Sequence, residues 1–244
     1  MHKLIGTLAA AVLLQAGAAR ALTVDEIVAR NVEARGGAAR LAAVRSLRLT
    51  GKIHLSGRGY SVEAVWGQLQ KRPGQIRSEI SLQGLTSVDA FDGKDAWSVQ
   101  PFQGRRDPQR TSADEAKTLQ EDADFEGPLV GWKEKGHQVE YLGTEDVDGT
   151  PAHKLRVTLK DGNIKYVFLD SDYFLEIRVE TQARIRGVEQ VSESDFGSYG
   201  QVAGVWFPFT IESGPKGSPR TAQLTIEQIE SNVDLDDAVF KFPA

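Results

Sequence analysis

The chain has 244 residues, 40% hydrophobic and 26% charged, with a formal net charge of −5. It is too apolar for a disordered chain and long enough to bury a sizeable core, as one ordinary domain or two small ones. The absence of cysteine excludes a disulfide framework, a thiol nucleophile and a lipid-modified N-terminal cysteine, and the acidic balance gives no electrostatic case for nucleic acid.

Residues 1–21 read as a cleaved secretory signal: Lys3 supplies the positive start, Leu4 to Leu14 the apolar run, and Ala19-Arg20-Ala21 the small-residue cleavage site. An apolar run of about eleven residues is too short for the roughly twenty that span a bilayer. The mature chain is expected to begin at Leu22 and, without Lys3 and Arg20, to be still more acidic.

Thr23-Val24-Asp25-Glu26 then has the spacing of a capping box. Val24, Ile27, Val28 and Val32 make the apolar stripe of a first helix, and Gly36-Gly37 stops it. A short alanine-rich second helix spans Ala38 to Val44. Leu47, Leu49, Ile53 and Leu55 alternate with polar residues and predict the first long strand.

From Tyr60 to Pro101 the sequence reads as an antiparallel meander of four strands. Tyr60, Val62, Ala64 and Trp66 form one apolar row, and Pro73-Gly74 suits the centre of a type II turn. Ile76, Ser78, Ile80 and Leu82 return, Thr86 to Phe91 make a third strand, and Asp92-Gly93 leads into Asp95 to Val99. Gly104 to Arg110 is charged and reads as a loop. Ser112 opens a helical insertion that is polar along most of its length and ends in the apolar cluster Phe125, Leu129, Val130 and Trp132.

From Gln138 onward strands resume, with turns at Asp148-Gly149, Asp161-Gly162, Ser171-Asp172, Gly200 and Gly204. Their apolar rows are Leu155, Val157 and Leu159; Tyr166 and Phe168; Leu175, Ile177 and Val179; Val205, Phe207, Phe209 and Ile211; and Leu224 and Ile226. About ten or eleven antiparallel strands cannot stay flat. The expected fold is therefore α+β and mainly antiparallel β: one strongly curved open sheet, a half-barrel, with helices and the insertion covering its concave face. No linker divides residues 22–244, which read as a single domain. Two slender helices and a polar insertion leave room for an apolar cavity in the hollow.

Three segments, QLQKRPGQIRSEI (68–80), FDGKDAWSVQP (91–101) and DLDDAVFKFP (234–243), resemble the LolA-like group of periplasmic lipoprotein carriers. The resemblance implies a monomeric periplasmic carrier that binds the acyl chains of a lipoprotein, or free lipid. It would take cargo from an inner-membrane transporter and hand it to an outer-membrane acceptor. Tyr60, Val62, Trp66, Ile76, Ile80, Leu155, Val157, Tyr166, Phe168, Leu175, Ile177, Phe207 and Phe209 would line the ligand cavity. Phe125, Leu129, Val130 and Trp132 would form a lid, tethered through its backbone carbonyls by Arg72 of the KRP motif. Two departures bear on cargo: Ile76 stands where well-studied carriers have an aromatic residue, and their C-terminal extension has no counterpart after Phe242. The alternative is a periplasmic sensor or regulator of the same fold that detects mislocalised lipoproteins and binds a membrane-protein partner.

No nucleophile elbow, HExxH, phosphate loop or dinucleotide fingerprint occurs. His54, His137 and His153 are far apart, and Asp146/Asp148, Asp170/Asp172 and Asp234/Asp236/Asp237 are turn residues without the twelve-residue calcium loop. No catalytic residue, cofactor or metal is expected.

Overall fold

The computed structural model describes residues 22–185 and 187–243, so the expected signal sequence and its cleavage site lie outside the described residues. Helix α1 (Val24–Ala34) begins at the expected capping box, in which the Thr23 hydroxyl accepts from the Glu26 N–H and the Glu26 carboxylate accepts from the Thr23 N–H. Helix α2 (Ala38–Ala43) follows the glycine pair. The first meander comprises β1 (Ser46–Gly57), β2 (Tyr60–Lys71), β3 (Gln75–Leu82), β4 (Leu85–Phe91), β5 (Ala96–Gln100) and β6 (Arg105–Arg110). The insertion carries α3 (Ala113–Asp122), capped by a second box between Ser112 and Glu115. The remaining strands are β7 (Gln138–Val147), β8 (Thr150–Thr158), β9 (Ile164–Asp170), β10 (Glu176–Ile185), β11 (Val188–Gly197), β12 (Gly200–Val202), β13 (Val205–Phe207), β14 (Thr210–Pro215) and β15 (Ala222–Ser231).

Thirteen strands form one antiparallel sheet in the order β6-β5-β4-β3-β2-β1-β15-β14-β11-β10-β9-β8-β7. Its edges, β6 and β7, do not pair, so the curved sheet stays open as a half-barrel. The sheet exceeds the expected ten or eleven strands partly because Arg105–Arg110, read as a loop, is an edge strand. Its arginines and Pro108 blunt that edge against pairing with another chain. Val205 and Phe207 also leave the main sheet: β12 and β13 make a separate ribbon. The turn after β2 differs as well. Gly74 N–H donates to Lys71 O at 3.2 Å, so Arg72 and Pro73, joined by a cis peptide, are its central residues rather than Pro73-Gly74.

Two clusters fill the concave side. Ile27 and Val28 of α1 pack on Leu155, Val157, Leu159, Val167 and Leu169. Leu41 and Val44, from α2 and its C-terminal cap, pack with Val205 and Phe207 of the ribbon on Leu47, Leu49, Trp66, Ile226 and Ile229. The close approach of helices and ribbon depends on Gly36, whose φ is +119° and whose missing Cβ would lie 2.2 Å from the Gly204 carbonyl oxygen.

The convex side has apolar patches of its own. Phe168 is buried there with Val147 and Ala152, with Tyr166 and Ile177 packed alongside. The C-terminal segment crosses the outside of β1–β6: Ser46 donates to Val233 O, Lys71 to Leu235 O, Arg77 to Val239 O and the Trp97 indole to Phe240 O. Phe240 is fully buried by this crossing.

Replacing Gly36 by alanine is expected to destabilise the fold by about 1–3 kcal/mol through backbone strain, and by more if the Gly204 carbonyl cannot retreat. Gly197→Ala, into open space at ordinary φ, should be nearly silent. Urea unfolding midpoints of the two variants decide it.

Candidate functional site

The insertion between the two sheet edges lies across the concave face, and each part of it meets a different surface. On α3, Ala116 and Leu119 pack against Ile76, Phe91 and Ala96, together with the following Ala123. Leu129 and Trp132 join the cluster under α1, while Phe125 and Val130 pack on the cluster under α2. The four apolar residues singled out as a lid therefore bridge the two halves of the concave core, and Leu129 is 1% exposed.

Two arginines fasten this segment. Arg35, the C-cap of α1, has a buried side chain whose guanidinium donates to the carbonyls of Glu126 and of Phe125, the latter at 3.2 Å. It also lies 3.7 Å from the Glu176 carboxylate of β10. Asn31, one turn earlier, donates to Phe174 O at 2.8 Å and to Glu176 at 3.2 Å. Arg72 was expected to hold the insertion's carbonyls. Instead it donates to Val44 O at 2.7 Å, to Leu41 O at 3.1 Å and to the Glu126 carboxylate at 2.8 Å, with its guanidinium 4.8 Å from the Phe125 ring centre. The backbone tether belongs to Arg35, which carries no sequence signal beyond preceding a helix stop. The hydrogen bond from Arg72 is the leading cause holding the Glu126 carboxyl below its ordinary value. Lys165–Glu121 at 2.9 Å and Lys133–Asp25 at 2.7 Å add further ties.

The residues expected to line one cavity separate into several groups. Trp66, Ile76, Ile80, Leu155, Val157, Phe207 and Phe209 do belong to the concave clusters or pack on them. Tyr166, Phe168 and Ile177 do not: they lie on the convex side. Alternation along β9 puts Val167 and Leu169 inward and Tyr166 and Phe168 outward. In β10 a register shift between Glu176 and Arg178 adds a residue opposite Phe168 and turns Ile177 out with it. Tyr60 stands at the β1–β2 hairpin, 56% exposed, its ring over Gly57. Leu175, just before β10, is half-buried.

Beyond the helices, the inward rows of the central strands are covered less. Ile53 faces Ala64 on one side and Leu224 on the other, Leu55 faces Val62 and Ala222, and Leu224 faces Ile211. All but Ala64 are half-buried. They form a continuous apolar floor running toward the β1–β2 hairpin. Across β2–β4 the next inward row is polar: Gln68, Ser78 and Asp89 succeed one another by register, Ser78 donating to Gln68 at 2.9 Å and Gln100 to Asp89 at 3.1 Å. Burial, despite Gln100, raises the Asp89 carboxyl above its ordinary value. Individually ordinary residues, these three become a stripe only through register.

A cleft of about 770 Å³ opens beside the insertion. Phe91, Ala123, Phe125, Pro128 and Leu159 supply apolar walls, and Arg72, Lys117, Glu121, Asp124, Glu126, Lys135, His137, Lys160, Asp161 and Lys165 supply charged or polar ones. Of the expected site residues, Arg72 and Phe125 line it and the others do not. Among the described residues no group of three or more His, Cys, Asp or Glu side chains could hold a metal ion, and no helix is long and apolar enough to cross a membrane.

An open antiparallel sheet with helices and an inter-edge insertion over its hollow defines a class of half-barrel proteins. Within that class the chain has the LolA fold. It is similar to a LolA superfamily protein from Nitrosomonas europaea, at 17% identity and a TM-score of 0.62, over 91% of this chain and 98% of the other. A DUF1329 family protein from Desulfovibrio piger matches at 13% identity and a TM-score of 0.61, over 89% and 97% of the two chains. A domain described as outer membrane lipoprotein-sorting, from Vibrio parahaemolyticus, matches at 15% identity and 0.60, again over 89% and 97%. No protein-family model matches the sequence, and no curated protein matches it.

Arg35→Ala should destabilise the protein by about 3–5 kcal/mol, because it strands the Glu126 and Phe125 carbonyls and a partly buried Glu176. Glu126→Gln leaves those bonds in place. It should raise amide exchange over 124–132 by roughly ten- to a hundredfold while global stability changes little. Since the folded carboxyl titrates below its ordinary 4.5, the Arg72 tie is complete above that pH and is lost as acidification passes through the lowered value. Protection factors over 124–132 should thus hold from pH 7 to 5 and fall only in stronger acid.

Proposed function

We propose that this chain is a periplasmic carrier that holds the acyl part of a lipid or lipidated protein on its concave face, under the 111–137 insertion. The observation that carries this reading is the apolar floor of Ile53, Leu55, Val62, Ile211 and Leu224, half-buried and continuous across four neighbouring strands. A packed core would bury such a row, and a solvated face would carry polar residues there. The fold shared with a domain described as lipoprotein-sorting supports the same reading.

The need for a carrier follows from transfer energetics. An acyl chain of about fifteen methylenes costs on the order of 12 kcal/mol to expose to water, so it does not cross an aqueous compartment unaided. A floor open along one side accepts a chain without refolding the sheet. The insertion is the movable part: its margin is tied to the sheet and α1 by hydrogen bonds and ion pairs, broken one at a time, around the apolar plugs Phe125, Leu129, Val130 and Trp132. Arg72 and Arg35 favour the closed position and so compete with cargo. Movement between a donor and an acceptor membrane protein is the transport step this carrier would serve.

A fluorescent fatty acid or lipopeptide should bind the purified protein with a ratio near one. Val62→Asp, on the floor, should weaken binding at least tenfold, whereas Val65→Asp, 63% exposed on the same strand, should leave it unchanged. Far-UV circular dichroism of both variants must remain native. Equal effects of the two substitutions, or no binding by the folded protein, would overturn the proposal.

A further inference from the structure

The cleft beside the insertion is not explained by an acyl chain alone. On α3 and just beyond it, Lys117, Gln120, Glu121 and Asp124 recur at helical spacing and look into the cleft, while Ala116 and Leu119 point to the core. Most of the cleft's charges are already answered. Arg72 meets Glu126, Lys135 meets Asp124 and Lys165 meets Glu121. Lys117 and Lys160 have no ion pair among the described residues, although both border the same space; Asp161, whose carboxylate accepts the Asn163 N–H at 3.0 Å, is the one cleft acid likewise without an ion pair there, so the cations of the cleft outnumber its acids by one.

His137 stands next to Lys160. Its Nδ1 accepts the Lys160 backbone N–H at 3.1 Å, and the Lys160 stem lies over Gly136. Burial, with Lys135 nearby, lowers the imidazole below its ordinary value, so the ring is neutral at neutral pH. With Nδ1 accepting, the proton resides on Nε2 and is available to donate. The floor between these donors is apolar: Phe91, Ala123 and Leu159 are 5%, 2% and 6% exposed. Two free ammonium groups and an N–H around a greasy base fit the junction between a negatively charged head and its hydrocarbon.

We infer that this cleft is a subsite for the anionic head group of a single bound lipid, contacted by Lys117, Lys160 and the Nε2–H of His137. The inference rests on the carrier reading above and specifies its ligand: an acidic lipid, phosphate- or carboxylate-bearing, in preference to a zwitterionic or neutral one. The head binds by charge-assisted hydrogen bonds, which are the strong kind.

The test compares lipids of identical dioleoyl chains, delivered from cyclodextrin to the delipidated protein and followed by native mass spectrometry and tryptophan fluorescence. Phosphatidylglycerol should bind roughly tenfold more tightly than phosphatidylcholine, with phosphatidic acid also above phosphatidylcholine. Lys117→Ala/Lys160→Ala should erase that preference while phosphatidylcholine affinity stays as in the parent, and Lys52→Ala, on the outer face of β1 and away from the cleft, should change neither. Equal affinity for both phospholipids, or a preference that survives the double substitution, overturns the subsite and leaves the carrier reading standing. If no lipid binds, the carrier reading itself fails and the subsite falls with it. Should inorganic phosphate at millimolar concentration displace the head-group preference as well as phosphatidylglycerol does, the site serves a free oxyanion, and the lipid assignment is overturned.

Discussion

A guanidinium withdrawn from water must be surrounded by acceptors, and that requirement at Arg35 organises the centre of the molecule. Its side chain joins the insertion, through two backbone carbonyls, to Glu176 at the start of β10. Its own carbonyl accepts the Trp206 N–H from the ribbon. Helix, insertion, ribbon and sheet thus meet at one residue, and each bond supplies a partner that an isolated buried charge would lack. Gly36 comes immediately after it because the chain must turn sharply there, against the backbone of Gly204, for the ribbon to arrive.

The cover and the floor of the concave face are held by different forces. The floor is set by cross-strand pairs of branched side chains, a cooperative surface that does not rearrange piecemeal. The cover combines apolar plugs, notably Leu129, with a perimeter of ion pairs that salt and protons can weaken. A segment with that division can loosen at its margin while the sheet beneath keeps its shape. The half-exposed row of Ile53, Leu55 and Val62 lies where the helices do not reach.

The curved sheet was legible because strand alternation and turn residues repeat clearly from Tyr60 to Val99 and again after Gln138. The insertion stood out as a change of period and charge. What escaped detection did so for physical reasons. Arg105–Arg110 looked like a loop because an edge strand carries the charges and proline that make it unattractive to other strands. Ile177 was assigned to the wrong face because one extra residue in a ladder reverses alternation without leaving a mark in composition. The polar stripe of Gln68, Ser78 and Asp89 exists only in the register of three strands. Arg35 could not be separated from any other arginine at a helix end, since its role is conferred by carbonyls some ninety positions later. The outer crossing by Val233–Phe242 was legible only as short motifs, because its contacts are made mainly by backbone carbonyls.

The middle of the sheet is the pairing of β1 with β15, in which Leu47 faces Ser231. Every other neighbouring pair in the large sheet is closer along the chain, and most are simple hairpins. The seam on which both halves depend therefore closes over nearly the full length of the polypeptide, with the loop-closure entropy that such a span entails. During synthesis the first six strands are made long before β15, so one side of β1 has no partner until the last strand arrives. Until then the backbone N–H and C=O groups along that side of β1 are an unpaired edge. Assembly of this protein is therefore a race between the arrival of its own C-terminal strand and capture of that edge by another chain.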